Sequence, residues 1–216
     1  MRRFVIIGQI ASASGDFSLD DLPSTSGRLD VLLRSMRAAL LTSHGLRKDV
    51  LVYLVLRGGS AGPRVLRVVS RNAKFIRPDE RSLATLVKKT LAAVETAAES
   101  FVEIRPGLEL CQGDLAEVLA ELGSAPRFVL HEDGSDIREH QLESDDAWFF
   151  LGDHVGFDVV SLALLERSGC QRLSVGPVSL HTDDVVTLVS NELDRRFGGL
   201  HASNAPPAGS SAPPSG

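Results

Sequence analysis

Apolar residues follow two patterns along the chain. Short runs rich in β-branched and aromatic residues predict buried strands, and apolar residues spaced three and four positions apart predict amphipathic helices. The predicted strands cover about residues 3–7, 49–57, 64–70, 101–111, 128–130, 148–151 and 172–175. The predicted helices cover about residues 27–44, 78–94, 114–123, 158–168 and 182–196.

This order of strands and helices predicts an open α/β sheet. The runs at 49–57 and 64–70 fit either a hairpin or two successive strands, and the pattern does not choose between them. We expect a single domain over residues 1–197. Residues 198–216 are rich in proline, serine and alanine and contain no apolar run to bury, so they are predicted to form a disordered tail.

Composition indicates the size of the core and the compartment in which the protein resides. With 216 residues, 43% of them hydrophobic, the chain can bury a full core. Cys111 and Cys170 lack C-x-x-C spacing, which suggests a reducing compartment. The apolar run that follows the arginines at 2–3 resembles a signal peptide, but Gly8 and Gln9 interrupt it and a first strand is favoured. No apolar run is long enough to span a bilayer, so we expect a cytoplasmic protein without a membrane anchor.

Charge divides the chain into two unlike halves. Residues 1–108 contain 17 basic and 10 acidic residues, whereas residues 109–216 contain 6 and 18. Eight of the basic residues lie between positions 64 and 89, with only two acidic ones among them. Such a segment suits contact with the phosphates of a nucleic acid. An ordinary solvated face explains the same pattern equally well.

Two glycine-containing turns, at 152–156 and 175–180, follow the late buried strands. Turns at the ends of strands are where open α/β sheets bind ligands, although ordinary β–α turns have the same spacing. Around a bound flat ring, the nearby apolar residues would form the walls: Leu130, Leu151, Val175, Leu180 and Val185.

Other kinds of site have weaker support. The residue types of a metal site occur at His131, Glu132, Asp133, Asp136, Asp153 and His154, but without a histidine pair at helical spacing, and no metal is expected. The spacing of Gly152, Asp153 and Asp158 resembles the magnesium motif of haloacid-dehalogenase-type phosphatases, which also need a D-x-D element that this chain lacks. The chain has no dinucleotide-binding fingerprint and no P-loop.

Five motifs in series carry a resemblance to a known family. They are SGRLDVLLRSMRAALLTSHGLRKDV, PDERSLATLVKK, VLHEDGSDIRE, FLGDHVGFD and LSVGPVSLHTDDVVTLVSNELDRR. Together they resemble the archaeal tRNA pseudouridine-54 N1-methyltransferases and their bacterial relatives, over residues 1 to about 197. The resemblance implies a SPOUT methyltransferase fold with a C-terminal deep trefoil knot, a homodimer, a tRNA substrate, and S-adenosylmethionine bound in the knot.

The resemblance also implies a set of cofactor-binding positions. They are Leu130, Gly152, Asp153, Gly156, Ser174, Val175, Gly176, Pro177, Leu180 and Val185. Val185 stands where many archaeal members are expected to have cysteine. Valine would keep a contact made by the backbone and would lose one made by sulfur.

Methylation of N1 requires an aligned methyl donor and a way for the N1 proton to leave. We expect Asp30 to be the base, with Asp79 as the second candidate. Arg28 and Arg81 are candidates for holding the base or a phosphate, with help from the basic segment 64–89.

Two other functions are compatible with the sequence. One is an RNA-binding protein that has lost catalysis, in which Val185 marks a degraded pocket. The other is a methyltransferase that acts on a substrate other than tRNA, which the acidic C-terminal half would permit.

Overall fold

A computed structural model describes residues 1–93 and 100–202 of the chain. In these ranges the strands are β1 (Arg2–Ser12), β2 (Leu41–Thr42), β3 (Gly45–Leu46), β4 (Val50–Gly58), β5 (Arg64–Val69), β6 (Val102–Arg105), β7 (Leu108–Gln112), β8 (Arg127–Asp136), β9 (Ala147–Gly152) and β10 (Gln171–Ser174). The helices are α1 (Leu22–Thr25), α2 (Leu29–Leu40), α3 (Glu80–Ala92), α4 (Leu115–Leu119), α5 (Val159–Arg167) and α6 (Thr182–Ala202).

Eight of these strands form one sheet, in the order β10-β8-β9-β1-β4-β5-β7-β6. The strands from β10 to β4 are parallel, and β5, β7 and β6 continue the sheet in antiparallel fashion. The predicted α/β sheet is therefore confirmed, and the two runs at 49–57 and 64–70 form an antiparallel pair. The C-terminal ends of β1, β8, β9 and β10 meet at one edge, which is where the glycine turns emerge.

Strand β1 lies in the middle of the sheet because its side chains are apolar on both faces. Phe4 and Ile6 pack in the larger core cluster with α2, α3 and α6, whereas Val5 and Ile7 pack in the smaller one with α4 and α5. Burial on both faces explains the continuous apolar run, which is typical of a central parallel strand. The first strand predicted at residues 3–7 is confirmed and extends to Ser12.

The helix predicted over residues 27–44 corresponds to α2, and its predicted end near His44 is wrong. Helix α2 ends at Leu40, and Leu41 is already extended, with φ −100° and ψ 136°. The following residues form the small antiparallel pair of β2 and β3, in which Leu41 is opposite Leu46. The apolar stripe stops at the last helical turn, and the prediction extended it to the next glycine, Gly45.

The turn predicted at residues 131–134 is also wrong, because β8 continues to Asp136. After a shift in register, Ser135 and Asp136 pair with Leu173 and Ser174 of β10. Gly134 permits the close approach, since a Cβ atom there would lie 2.6 Å from the Leu173 backbone.

Helix α6 continues to Ala202, so the change of structure predicted after Gly198 does not occur there. The remainder of the predicted tail, residues 203–216, and the predicted end of the helix over 78–94, at residue 94, lie outside the described residues. Among the described residues, no helix is both long enough and apolar enough to span a membrane.

Candidate active site

A cavity of about 270 Å³ lies at the edge of the sheet where β8, β9 and β10 end. Nine of the ten predicted cofactor positions line it: Leu130, Gly152, Asp153, Gly156, Ser174, Val175, Gly176, Leu180 and Val185. Pro177 is exposed and is not among the lining residues. The structure thus brings the two glycine turns together around one space, while ligand binding by these residues stays a prediction.

The first turn, at 152–156, is folded tightly on itself. A Cβ atom on Gly152 would lie 2.6 Å from the Gly156 backbone, which leaves no room for a side chain. Gly156 has φ +83°, in the left-handed region that favours glycine. The buried carboxylate of Asp153 accepts hydrogen bonds of 2.9 Å from the backbone amides of Gln9 and Val155. Asp153 therefore holds the turn against the end of β1.

A polar network beneath this turn connects it to the rest of the sheet. Gln9 Nε2 donates to the carbonyl oxygen of Gly156 at 3.2 Å and to Asp158 Oδ2 at 3.1 Å. Arg57 donates to Gln9 Oε1 at 2.9 Å, to Asp158 Oδ2 at 2.5 Å and to Asp114 Oδ1 at 2.8 Å. Although burial raises the pKa of Asp158, hydrogen bonds from Ser161, Arg57 and Gln9 lower it strongly overall. The network holds the turn at 152–156 in place against β1, β4 and the start of α5.

The second turn, at 175–180, is held by two hydroxyl groups. Ser174 Oγ accepts from the Gly176 amide at 3.0 Å and donates to the Gly176 carbonyl at 2.6 Å. Thr182 Oγ1, at the start of α6, donates to the Gly152 carbonyl at 2.8 Å. This last bond joins the second turn to the first, and Thr182 is itself part of the cavity wall.

The sequence prediction missed several residues of this wall. Phe157, Leu162 and Thr182 all line the cavity. Each lies in or next to a glycine turn or in the first turn of the following helix, so proximity to the turns is the signal that would have found them.

Val185 lines the cavity and also packs against the larger core cluster. Its backbone amide donates to the His181 carbonyl at 3.1 Å in the first turn of α6. The amide is therefore engaged within the helix. A valine side chain has methyl groups where a cysteine would have sulfur.

The residues considered for a metal are held by other partners. Asp153 accepts backbone amides, His131 Nδ1 accepts from the Asp133 amide at 3.2 Å, and Arg138 lowers the pKa of Asp136 to about 2. Within residues 1–93 and 100–202, no three His, Cys, Asp or Glu side chains are grouped so that they could hold a metal ion.

Asp30 is the centre of a buried ionic cluster on the first turn of α2. Only 3% of the residue is exposed. Arg28 donates to both carboxylate oxygens at 3.0 and 3.2 Å, and Arg34 donates at 2.9 Å. Burial raises the pKa of Asp30, but the hydrogen bonds from the two arginines outweigh this and lower it overall. Asp30 is therefore a carboxylate at neutral pH.

The Asp30 cluster is close to the cavity. Arg34 Nε is 3.9 Å from Asp183 Oδ2, and Asp183 follows Thr182 at the cavity wall. The pKa of Arg28 is raised, mainly by Asp30. The negative charge of Asp153 adds a smaller contribution, which shows that Asp153 lies near Arg28. Two predicted catalytic residues, Arg28 and Asp30, thus lie beside the predicted cofactor positions.

The other two predicted catalytic residues have structural partners. Asp79 caps α3 by accepting from the Ser82 amide at 2.8 Å, a hydrogen bond that lowers the pKa of Asp79. Arg81 donates to Asp20 at 3.0 Å and to the Leu19 carbonyl at 3.3 Å. They are not brought into the Asp30 cluster, although Glu80, between them, lies 3.8 Å from Arg34.

Some basic residues of the segment 64–89 are paired within the protein, and some are exposed to solvent. Arg67 is paired with Glu109 and Glu121, Arg71 with Asp49, and Arg64 donates to carbonyl oxygens of Ala13 and Leu91. The exposed cations are Lys74, Arg77, Arg81 and Lys89 together with Arg71. The positive surface is therefore smaller than the sequence suggested, and it is concentrated around the loop before α3.

Residues 1–197 match the model of a protein family described as "Putative SAM-dependent RNA methyltransferase". The chain belongs to this family. The resemblance of the five motifs is thereby confirmed, and with it the dependence of the family on S-adenosylmethionine.

Archaeal relatives are similar over nearly the whole chain. The tRNA (pseudouridine(54)-N(1))-methyltransferase of Methanococcoides burtonii is 41% identical over 201 residues, which cover 92% of this chain and 98% of the relative. The enzyme of the same name from Methanosarcina acetivorans is 42% identical over 195 residues, covering 90% and 92%. That of Halobacterium salinarum is 39% identical over 196 residues, covering 90% and 96%.

A solved structure confirms the fold. Nep1 of Archaeoglobus fulgidus, bound to S-adenosylhomocysteine, matches with a TM-score of 0.61 at 15% identity, covering 91% of this chain and 99% of that protein. This chain therefore shares the mixed α/β fold, with its large sheet, of that structure.

Proposed function

We propose that this protein transfers a methyl group from S-adenosylmethionine to N1 of pseudouridine 54 in tRNA. The observation that carries the proposal is the identity of 41 to 42% to archaeal enzymes of that name over at least nine-tenths of the chain. The cavity at the glycine turns supports it with a site of suitable chemistry.

The residues that line the cavity suit the chemistry of the cofactor. The volume of the cavity, about 270 Å³, lies just below the usual range for small-molecule sites, which starts at roughly 300 Å³. Leu130, Leu151, Val175, Leu180 and Val185 would offer apolar surface to the adenine ring. The two turns, at Gly152–Gly156 and Ser174–Gly176, together with Glu132 and Thr182, would offer polar groups to the ribose and amino-acid parts.

When bound, S-adenosylmethionine supplies an electrophilic methyl group on a positively charged sulfur. Transfer forms a carbon–nitrogen bond at N1 and breaks the carbon–sulfur bond, and the N1 proton must then be lost. As the new bond forms, positive charge develops on N1, and the N1 proton becomes strongly acidic. A weak base is sufficient at that point.

Asp30 suits this requirement because its pKa is low and it remains ionised at neutral pH. We propose that its carboxylate accepts the N1 proton, directly or through water, and that it holds Arg28 in place. The side chain of Arg28 is half-buried, and its exposed part would hold the uracil-type ring or a phosphate while Asp30 fixes the guanidinium group. Asp79 and Arg81 are assigned to the cap of α3 and to the contact with Asp20.

The C-terminal deep trefoil knot remains part of the proposal. It is supported by the two-part pairing of β10 with β8, on either side of the register shift. It is also supported by Arg196 of α6, which donates to the carbonyl oxygens of Ile137 and His140 at 2.7 Å. These bonds hold the last helix against the segment that follows β8.

A homodimer is the proposed assembly. Val159 and Val160 at the start of α5 are 83% and 73% exposed, and Val155 and Val178 beside the cavity are exposed as well. An exposed apolar patch is typical of an interface. A second copy of the chain would cover it and would close the mouth of the cavity.

The domain and its location complete the proposal. Residues 1–197 form the methyltransferase domain, as the extent of the family match suggests, and residues 198–216 lie outside it. The protein acts in the cytoplasm, where its proposed tRNA substrate occurs.

Labelled methyl transfer from S-adenosylmethionine to total tRNA tests the proposal against the two other functions. Incorporation into tRNA supports the methyltransferase, whereas RNA binding without incorporation supports a protein that has lost catalysis. Neither binding nor incorporation would point to a methyltransferase with another substrate.

A further inference from the structure

Phe75 is a large apolar side chain that the fold turns outward. It is 80% exposed, in the loop between β5 and α3. Its backbone has φ +64°, in the left-handed region that residues other than glycine rarely adopt. The proposed chemistry at Asp30 gives this exposed ring no role.

The residues on either side of Phe75 pack against the rest of the protein. These contacts hold in place the loop that carries the ring. Ala73 and Ile76 pack against the larger core cluster. The amides of Asn72 and Ala73 donate to the Val69 carbonyl at 3.1 and 3.0 Å. On the other side of the loop, Gly107 approaches so closely that a Cβ atom there would lie 2.3 Å from the Ala73 nitrogen.

The segment that carries the exposed ring is rich in exposed basic residues. Lys74 and Arg77 are exposed within two residues of Phe75, and Arg71 and Arg81 are exposed further along the same segment. An aromatic ring among cations is the usual arrangement for holding single-stranded nucleic acid, because the ring stacks on a base and the cations contact phosphates. The core of a protein–protein interface is instead depleted in lysine.

The loop also lies within reach of the proposed chemistry. Phe75 precedes Glu80 by five residues, at most about 18 Å along an extended chain. Glu80 Oε2 lies 3.8 Å from Arg34, which donates to Asp30. This span fits two nucleotides of the same RNA loop, one on Phe75 and one at Asp30.

We propose that Phe75 is a stacking platform for a base of the single-stranded RNA loop that contains the target nucleotide, and that Lys74 and Arg77 hold the adjacent phosphates. This inference rests on the proposed function for the identity of the RNA. Unstacked loop bases are the parts of an RNA that aromatic side chains recognise.

The test measures binding of a T-arm hairpin RNA by fluorescence anisotropy over a series of salt concentrations. Phe75→Ala should weaken binding by roughly 5- to 100-fold, as expected for the loss of one base stack. The dependence on salt should be unchanged, since no cation is lost. Lys74→Ala should instead lower the salt slope by about 0.7, as expected for one phosphate contact on a single strand. Phe75→Trp should restore the affinity, and Val102→Ala, at another exposed apolar residue, should bind like the wild type.

Methyl transfer by the same variants separates this inference from the proposed function. We expect Phe75→Ala to raise KM for RNA while kcat and the affinity for S-adenosylmethionine are unchanged. A wild-type protein that binds the hairpin through Phe75 but does not methylate it would uphold the platform and overturn the proposed function. Equal RNA affinity of Phe75→Ala and wild type would overturn the platform, as would an absence of RNA binding. Equal affinity with a lower oligomer mass would assign Phe75 to a contact between copies of the chain.

Discussion

The hydroxyl group of Thr182 donates a hydrogen bond of 2.8 Å to the carbonyl oxygen of Gly152. This one bond connects the start of the last helix to the turn after β9, and so connects the two walls of the cavity. Thr182 is buried, which means that water does not replace the bond when the hydroxyl is removed.

Thr182→Val keeps the shape of the side chain and removes its donor. We expect a loss of about 1 kcal/mol in the free energy of unfolding, together with weaker binding of S-adenosylmethionine. Urea denaturation and isothermal titration calorimetry measure the two effects. Thr182→Ser retains the hydroxyl and should restore cofactor affinity. If both variants bound the cofactor like the wild type, the bond would have no part in shaping the cavity.

Gly152→Ala tests the close approach within the first turn. The added Cβ atom would lie 2.6 Å from the Gly156 backbone, so the turn must shift into the cavity or away from it. We expect binding of S-adenosylmethionine to weaken more than tenfold, because the displaced turn is part of the proposed cofactor site. Gly123→Ala is the matched control, since a Cβ atom there meets nothing within 4 Å. Unchanged affinity in Gly152→Ala would exclude the turn from the cofactor site.

Much of the fold could be predicted because the central strands and helices have local signals. β1 and β9 are apolar runs, and α3 and α5 begin at acidic caps, Asp79 and Asp158. The continuation of β8 through residues 131–136 could not be predicted, because its partner is β10, more than 30 residues later in the chain. The polar residues of that stretch are typical of a turn, and only the tertiary pairing makes them a strand.

The site was predictable in part for the same reason. Glycine turns after buried strands are local features, and they indicated both walls of the cavity. The environment of Asp30 is not a local feature. Its position off the apolar stripe of α2 suggests an exposed acid, whereas Arg28 and Arg34 enclose it and the fold buries it.

Asp30→Asn removes the proposed proton acceptor and keeps the size of the side chain. We expect S-adenosylmethionine to bind with unchanged affinity and most methyl transfer to be lost at neutral pH. Single-turnover assays with labelled cofactor measure the chemical step. Asp79→Asn provides the comparison, since asparagine keeps the cap of α3, so stability should change little and transfer should be affected less. The opposite ranking of the two variants would assign the proton acceptor to Asp79.

The low pKa of Asp30 also predicts how stability varies with pH. A carboxylate whose pKa is lowered on folding stabilises the protein above its unfolded pKa, near 3.8, and loses this effect as pH falls through the folded pKa. The difference in unfolding free energy between wild type and Asp30→Asn should be constant from pH 5 to 8. It should become smaller below about pH 4. Urea denaturation at several pH values measures it, and a difference that grows toward acid pH would contradict the assigned direction.

The apolar surface at α5 predicts the behaviour of the proposed dimer. Val159→Asp places a charge where a second copy would pack, so we expect the mass measured by light scattering to fall to that of a monomer. Val102→Asp, on the strand at the far edge of the sheet, is the matched control and should leave the mass unchanged. A dimer that survives Val159→Asp and Val160→Asp together would place the interface elsewhere.

The central claim concerns one nitrogen atom, and a pair of RNA hairpins tests it most directly. One hairpin carries pseudouridine at the position of nucleotide 54, and the other carries uridine there, whose N1 is bonded to the ribose and has no proton to lose. After reaction with the protein and S-adenosylmethionine, mass spectrometry of the nucleosides should show N1-methylpseudouridine in the first hairpin and no methylated nucleoside in the second. Equal methylation of both hairpins, or methylation of the first at any other nucleoside, would contradict the account.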